Sequence, residues 1–161
     1  MRSRLLAIFL GAVAILPVPA QGGAFDDCQR LRSIAFDDSK AAFSLYLLLS
    51  SGADGLKPNR EQADYWLVQA SNDHHPPAMK ELGLRMLRGI GMEQLPPLAF
   101  ELLFAAGQAG EDVREPLAEA EAQTSADLVE AIRAAGGKEV TSYTYFNSVS
   151  RLSQPACEKA R

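Results

Sequence analysis

His74 and His75 are the only histidines of the chain, and Cys28 and Cys157 its only cysteines. A metal site or a general base would have to draw on this small stock. Neighbouring histidines in a helix or strand point apart, and only Asp73 among the carboxylates lies at ligand spacing from them. A metal ligand set is therefore not expected. Asp73-His74-His75-Pro76-Pro77 reads instead as a turn, because proline is tolerated in the first turn of a helix but not further in.

The acidic pairs Asp26-Asp27 and Asp37-Asp38 could hold a hard cation or work as acid and base. Neither has the alternating oxygens and central glycine of a calcium loop, and capping of a following helix accounts for Asp37 and Asp38. Glu111, Asp112, Glu115, Glu119 and Glu121 read as a solvated helix face. The sequence holds no Gly-x-Ser-x-Gly elbow, no Ser-x-x-Lys and no glycine-rich phosphate loop followed by lysine. No catalytic residue, metal or cofactor is therefore expected, and the leading class is a binding protein. A hydrolytic site would have to be built around His74, His75 and Tyr65.

The first twenty residues point to export. Arg2 and Arg4 precede an uncharged apolar stretch from Leu5 to Leu16, followed by Pro17-Val18-Pro19-Ala20. This is the pattern of a cleavable signal peptide over residues 1–20, with small residues Val18 and Ala20 at the cleavage site. The apolar stretch, about 12 residues, is shorter than the roughly 20 needed to span a hydrocarbon core, so no stable membrane insertion is expected after cleavage. In an oxidising compartment Cys28 and Cys157 most simply pair with each other, closing a loop of about 130 residues. Loss of Arg2 and Arg4 takes the net charge from −4 to −6, which disfavours nucleic acid as a partner.

The elements that carry these residues recur. Shifting the chain by 36 residues lays Ala42, Gly55, Ala63, Leu67 and Ala70 on Ala78, Gly91, Ala99, Leu103 and Ala106, with Leu48 on Leu84, Leu56 on Met92 and Trp66 on Leu102. Each unit reads as two helices. Asp38 or Ser39 caps a helix over about 40–50 that buries Ala42, Leu45, Tyr46 and Leu49, and Gly52, Gly55 and Pro58 break it. Asn59 and Gln62 resemble a capping box that opens a second helix to about Asn72, with Ala63, Trp66, Leu67 and Ala70 inward. In the next unit Met79, Leu82, Met86 and Leu87 form the first stripe. Gly89 and Gly91 then break the chain, and Pro96-Pro97 opens a helix with Ala99, Leu102, Leu103 and Ala106 inward. A third, degenerate pair runs from Val113 to Gln123 and, capped by Thr124 or Ser125, on to Ala135 before Gly136-Gly137.

These residues resemble the Sel-one-like repeats, relatives of the tetratricopeptide repeats. Ala78, Leu82-Gly83, Met86, Gly89-Ile90-Gly91, Ala99, Leu102 and Ala106-Gly107 match one copy. Ala42, Tyr46, Gly55, Ala63, Trp66, Ala70 and Ser71 match the copy before it, with Ala53 in place of the first turn glycine. The likeness covers residues 40–111 well and 112–136 poorly. It implies an all-α fold, a short α-solenoid of about three helix-turn-helix repeats. Flank 21–38 precedes the repeat domain, 39–137, and an extended tail, 138–161, follows it. In this register His74 and His75 fall at the inter-repeat turn and Trp66 in the core. Small residues such as Ala63, Gly83 and Ala99 let helix axes approach closely, and stacking completes a core that one hairpin cannot bury alone.

The resemblance, with the leader, implies a bacterial periplasmic or secreted module that binds a protein or peptide partner along its first helices, acidic rims steering a basic segment. Val140 to Phe146, rich in β-branched and aromatic residues, reads as an extended arm brought back to Cys28, or as an exposed edge for a partner. The alternatives are an envelope hydrolase or cell-wall-binding enzyme, and a structural accessory subunit docked through this aromatic tail.

Overall fold

The computed structural model describes residues 23–53, 55–136 and 157–160. The expected signal peptide and the aromatic stretch of the tail lie outside them. Seven α-helices and no named strand make up the described residues: α1 (Ala24–Ile34), α2 (Ser39–Ser51), α3 (Arg60–Asn72), α4 (Pro76–Arg88), α5 (Pro96–Gln108), α6 (Arg114–Ala122) and α7 (Ala126–Ala135). No described helix is long and apolar enough to cross a membrane.

Local chemistry sets the boundaries. Asp38, rather than Ser39, caps α2, its carboxylate accepting from Lys40 N at 2.9 Å and Ala41 N at 3.3 Å. Asn59 caps α3 by accepting from Gln62 N at 3.1 Å. The capping box is not reciprocal, because the Asn59 N–H already donates to Leu49 O at 2.8 Å. Proline pairs open α4 and α5. Glycines in the left-handed conformation, Gly52 and Gly89, end α2 and α4. Ser125 holds the N-cap position of α7, as expected, although its side chain makes no cap bond; the Thr124 hydroxyl turns back to Ala120 O at 2.8 Å.

The helices pack in chain order. The hairpins α2/α3 and α4/α5 have the closest association, α3 meets α4, and α1 and α6 add to either end. The two hairpins share their backbone links. Asn59 N bonds Leu49 O, as Leu95 N bonds Met86 O; His75 N bonds Ala70 O, as Glu111 N bonds Ala106 O. The 36-residue shift holds for α3 and α5, where Ala63, Trp66, Leu67 and Ala70 and their counterparts Ala99, Leu102, Leu103 and Ala106 are all buried. The first helices need a correction to 37. Buried Ala41, Ala42, Leu45, Tyr46 and Leu49 correspond to buried Ala78, Met79, Leu82, Gly83 and Met86. The extra residue sits in the turn, where Gly52 and Gly55 stand one position further apart than Gly89 and Gly91.

Helices α4 and α5 approach each other closely at Gly83 on α4. A Cβ there would lie 2.9 Å from Leu103 Cγ and 3.3 Å from Ala99 O, so α4 and α5 touch at a distance only glycine permits.

The segment expected as a bare N-terminal flank contains a helix, α1, packed on α2. Phe25, Cys28 and Leu31 form its inner stripe, with Cys28 fully buried. At the other end of the chain Cys157 is bonded to Cys28, with Cα atoms 6.0 Å apart. Residues 157–160 lie along the α2–α3 turn as a short arm. Lys57 N donates to Glu158 O at 2.8 Å, Ala160 N donates to Gly55 O at 2.9 Å, and Leu56 and Lys159 form an antiparallel bridge.

Candidate functional site

Polar chemistry concentrates where α2, α3 and α4 meet. Tyr46 falls on the buried stripe of α2, one turn after Ala42, and this places its hydroxyl among charges. The hydroxyl donates to Glu81 Oε1 at 2.8 Å and accepts from Arg85 Nη2 at 3.0 Å. Glu81 and Arg85 stand one turn apart on α4, and Arg85 Nε donates to Glu81 Oε1 at 3.0 Å. Asp64 on α3 takes the remaining side of the guanidinium through Nη1, which also lies 5.2 Å from the centre of the Tyr46 ring.

Every charge in this cluster has a partner, and its electrostatics follow. Burial, then the hydrogen bond to Glu81, pushes the Tyr46 phenol up to about 12. Burial works against the charge of Arg85, but the bond to Glu81 and the proximity of Tyr46 and Asp64 outweigh it and raise its pKa. The guanidinium, clamped in this way between the Asp64 and Glu81 carboxylates and beside a phenol that stays protonated, fixes α2, α3 and α4 against one another.

A second polar contact lies further along. Lys80 on α4 pairs with Glu111, in the turn before α6, at 3.2 Å. His75, at the N-terminal boundary of α4, lies against Phe43 of α2 with ring centres 5.2 Å apart. Burial, and then Lys40, lowers its pKa. Exposed His74 adopts φ 58° where Gly110 stands at the equivalent position of the next unit, with φ 100°. The two histidines thus occupy a turn and a helix boundary. Among the described residues no group of three or more His, Cys, Asp or Glu side chains gathers as a metal site.

The other expected residues are placed as follows. Asp27 pairs with Arg30 at 3.0 Å on α1, while Asp38 is a cap. Tyr65 is half-buried, and burial raises its pKa. Its ring lies 5.1 Å from that of Trp66. Trp66 is buried, as expected, and Phe36 from the α1–α2 turn leans on it with ring centres 4.8 Å apart. Two clefts among the described residues are wide open to the surface. One, of about 450 Å³, lies between α6 and α7 and includes Glu121, Glu130 and Arg133.

Two features escaped the sequence. The spacing of Glu81 and Arg85 was a usable signal for a helix-surface pair, but nothing local said that Tyr46 and Asp64 would close on it. Phe36, 65% exposed, gave no periodic signal because it lies between helices.

Compared with known proteins, the chain matches no family model and no curated protein.

Proposed function

We propose that this protein is an exported helical-repeat interaction module, a short α-solenoid that binds a protein or peptide partner on the surface formed by its first helices. The observation that carries this reading is the contact between first helices of successive units. Tyr46 of α2 reaches Glu81 and Arg85 of α4, and α4 in turn touches α6. First helices ranked side by side leave a continuous wall, which is how stacked hairpins make a binding surface.

The wall has a distinct chemistry. Lys40, Ser44 and Leu47 are exposed along α2, with Leu47 49% exposed; at the 37-residue shift Glu81 and Leu84 take the places of Ser44 and Leu47 on α4. A mixed surface of this kind suits a peptide with alternating polar and apolar side chains. The net negative charge favours a basic one. Export agrees with a buried Cys28–Cys157 disulfide and with the leader-like residues 1–20. A bacterial periplasmic or secreted setting follows from the repeat resemblance.

The test is capture from a cell-envelope extract with immobilised residues 21–161, beside a variant carrying Lys40→Glu, Ser44→Glu and Leu47→Glu. A partner held by the first chain and lost from the second supports the reading. Empty capture at mild salt, or equal capture by both chains, counts against it.

A further inference from the structure

The aromatic cluster at the N-terminal end has two features that one ligand would resolve together. Trp66 is 2% exposed, and its Nε1–H is buried without a hydrogen-bond partner. A buried donor left unmade bears its whole desolvation cost. One of the rings against the indole is that of Phe36, which is 65% exposed and belongs to the turn between α1 and α2 rather than to a helix. Ile34, two residues earlier, is 44% exposed. Water therefore reaches large apolar side chains at the surface, and the buried N–H of the indole that Phe36 touches has no acceptor.

The Phe36 ring touches the indole, so moving it would uncover the part of the indole it packs on. An incoming group that fills the space must be apolar, and it must carry an acceptor beside its apolar part to meet the N–H. A peptide with an aromatic side chain next to a backbone carbonyl has both. The flanking charge selects further: Asp37 and Asp38, both exposed, follow Phe36 directly. They oppose fatty-acid carboxylates and anionic lipid headgroups, and they favour a basic neighbour in the peptide.

We infer that Phe36 covers a peptide-binding site in which an aromatic side chain displaces its ring, a carbonyl of the same peptide accepts from Trp66 Nε1, and a basic residue faces Asp37 and Asp38. This site is separate from the first-helix wall and does not depend on that wall binding anything.

Trp66 is the only tryptophan, so an amide proton–nitrogen spectrum contains one indole signal. Titration of the full ¹⁵N-labelled chain uses acetyl-Phe-Arg-amide, with acetyl-Gly-Arg-amide and acetyl-Phe-Glu-amide as controls. The first should shift the indole signal saturably, the second should leave it in place, and the third should bind about tenfold more weakly. Phe36→Ala should speed exchange of the indole proton with water and tighten binding of acetyl-Phe-Arg-amide several-fold. An indole signal that stays fixed up to the solubility limit overturns the inference, as do equal shifts by the glycine and phenylalanine peptides. Unchanged indole exchange in Phe36→Ala also overturns it. None of these outcomes bears on the first-helix wall, which the capture experiment tests separately.

Discussion

Tyr46 spends its hydroxyl on two charged neighbours at once, and this makes the protein sensitive to alkali at one residue. Its phenol is pushed up to about 12 from an ordinary value of 10.0, so the folded state holds that proton where the unfolded state gives it up. The stabilisation is complete below pH 10 and is lost as pH rises from 10 towards 12. For a side chain that is 5% exposed, the two-unit difference corresponds to roughly 3 kcal/mol. Tyr46→Phe should cost about 1–3 kcal/mol at neutral pH, because Glu81 loses a donor inside a partly buried cluster. The gap between the two proteins in urea melts should then narrow from pH 10 upward. A gap that is constant across that range would place the stabilising effect elsewhere. His74 offers the opposite change. It holds φ 58° with an exposed side chain, and a non-glycine residue in that region is strained by about 1 kcal/mol. His74→Gly should therefore raise the unfolding free energy by roughly 0.5–1 kcal/mol, after allowing for glycine's greater freedom in the unfolded chain.

Helix against helix, the close contact at Gly83 sets how near α4 and α5 can come. Gly83→Ala gains about 1 kcal/mol of helix propensity. Its new Cβ, however, would meet Leu103 Cγ at 2.9 Å, and Leu103 is fully buried with little room to yield. Overpacking of that kind costs about 1–3 kcal/mol. The expected net loss is about 1–2 kcal/mol, with Gly83→Val worse, as thermal melts of the variants would show. Contacts at this scale were legible in the sequence, because apolar spacing and turn glycines are local signals. Ala63, Trp66, Ala99 and Leu102 could be assigned to the core from their period, and cap and proline signals marked the limits of α3 and the start of α5. The one-residue change of register in the first helices was not legible. Alanine and leucine are so common there that Ala42 matches Ala78 at a shift of 36 as well as Ala41 does at 37. Helix α1 was hidden by Asp26, Asp27, Arg30 and Arg32, although Phe25, Cys28 and Leu31 already stood at helical spacing. The clamp on Arg85 was beyond reach for a different reason: its parts come from three helices, and only packing brings them together.

Across the whole molecule, the disulfide joins what the chain order separates. Cys28 and Cys157 stand 129 residues apart and are both buried. Among the described residues, the arm that follows Cys157 has few other contacts of weight. Lys57 and Glu158 pair at 3.1 Å in the open, where such a pair contributes ~1 kcal/mol or less. Two backbone bonds and the Lys159 ammonium, 4.8 Å from the centre of the Phe25 ring, complete the attachment. The bond therefore acts chiefly on the unfolded chain, and a closed loop of this length should be worth roughly 5 kcal/mol before native strain is subtracted. Replacing both cysteines by serine should lower the unfolding free energy by roughly 3–5 kcal/mol. Amide exchange at Lys57 and Ala160 should lose its protection, while α4 and α5, which share no hydrogen bond or ion pair with residues 157–160 among the described residues, keep theirs. The urea slope separates the two ways a cross-link can work. If the loss comes from a freed unfolded ensemble, more surface is exposed on unfolding and the slope steepens. An unchanged slope together with a loss below ~1 kcal/mol would mean that the arm is held by its own contacts, and that the disulfide merely records where it lies.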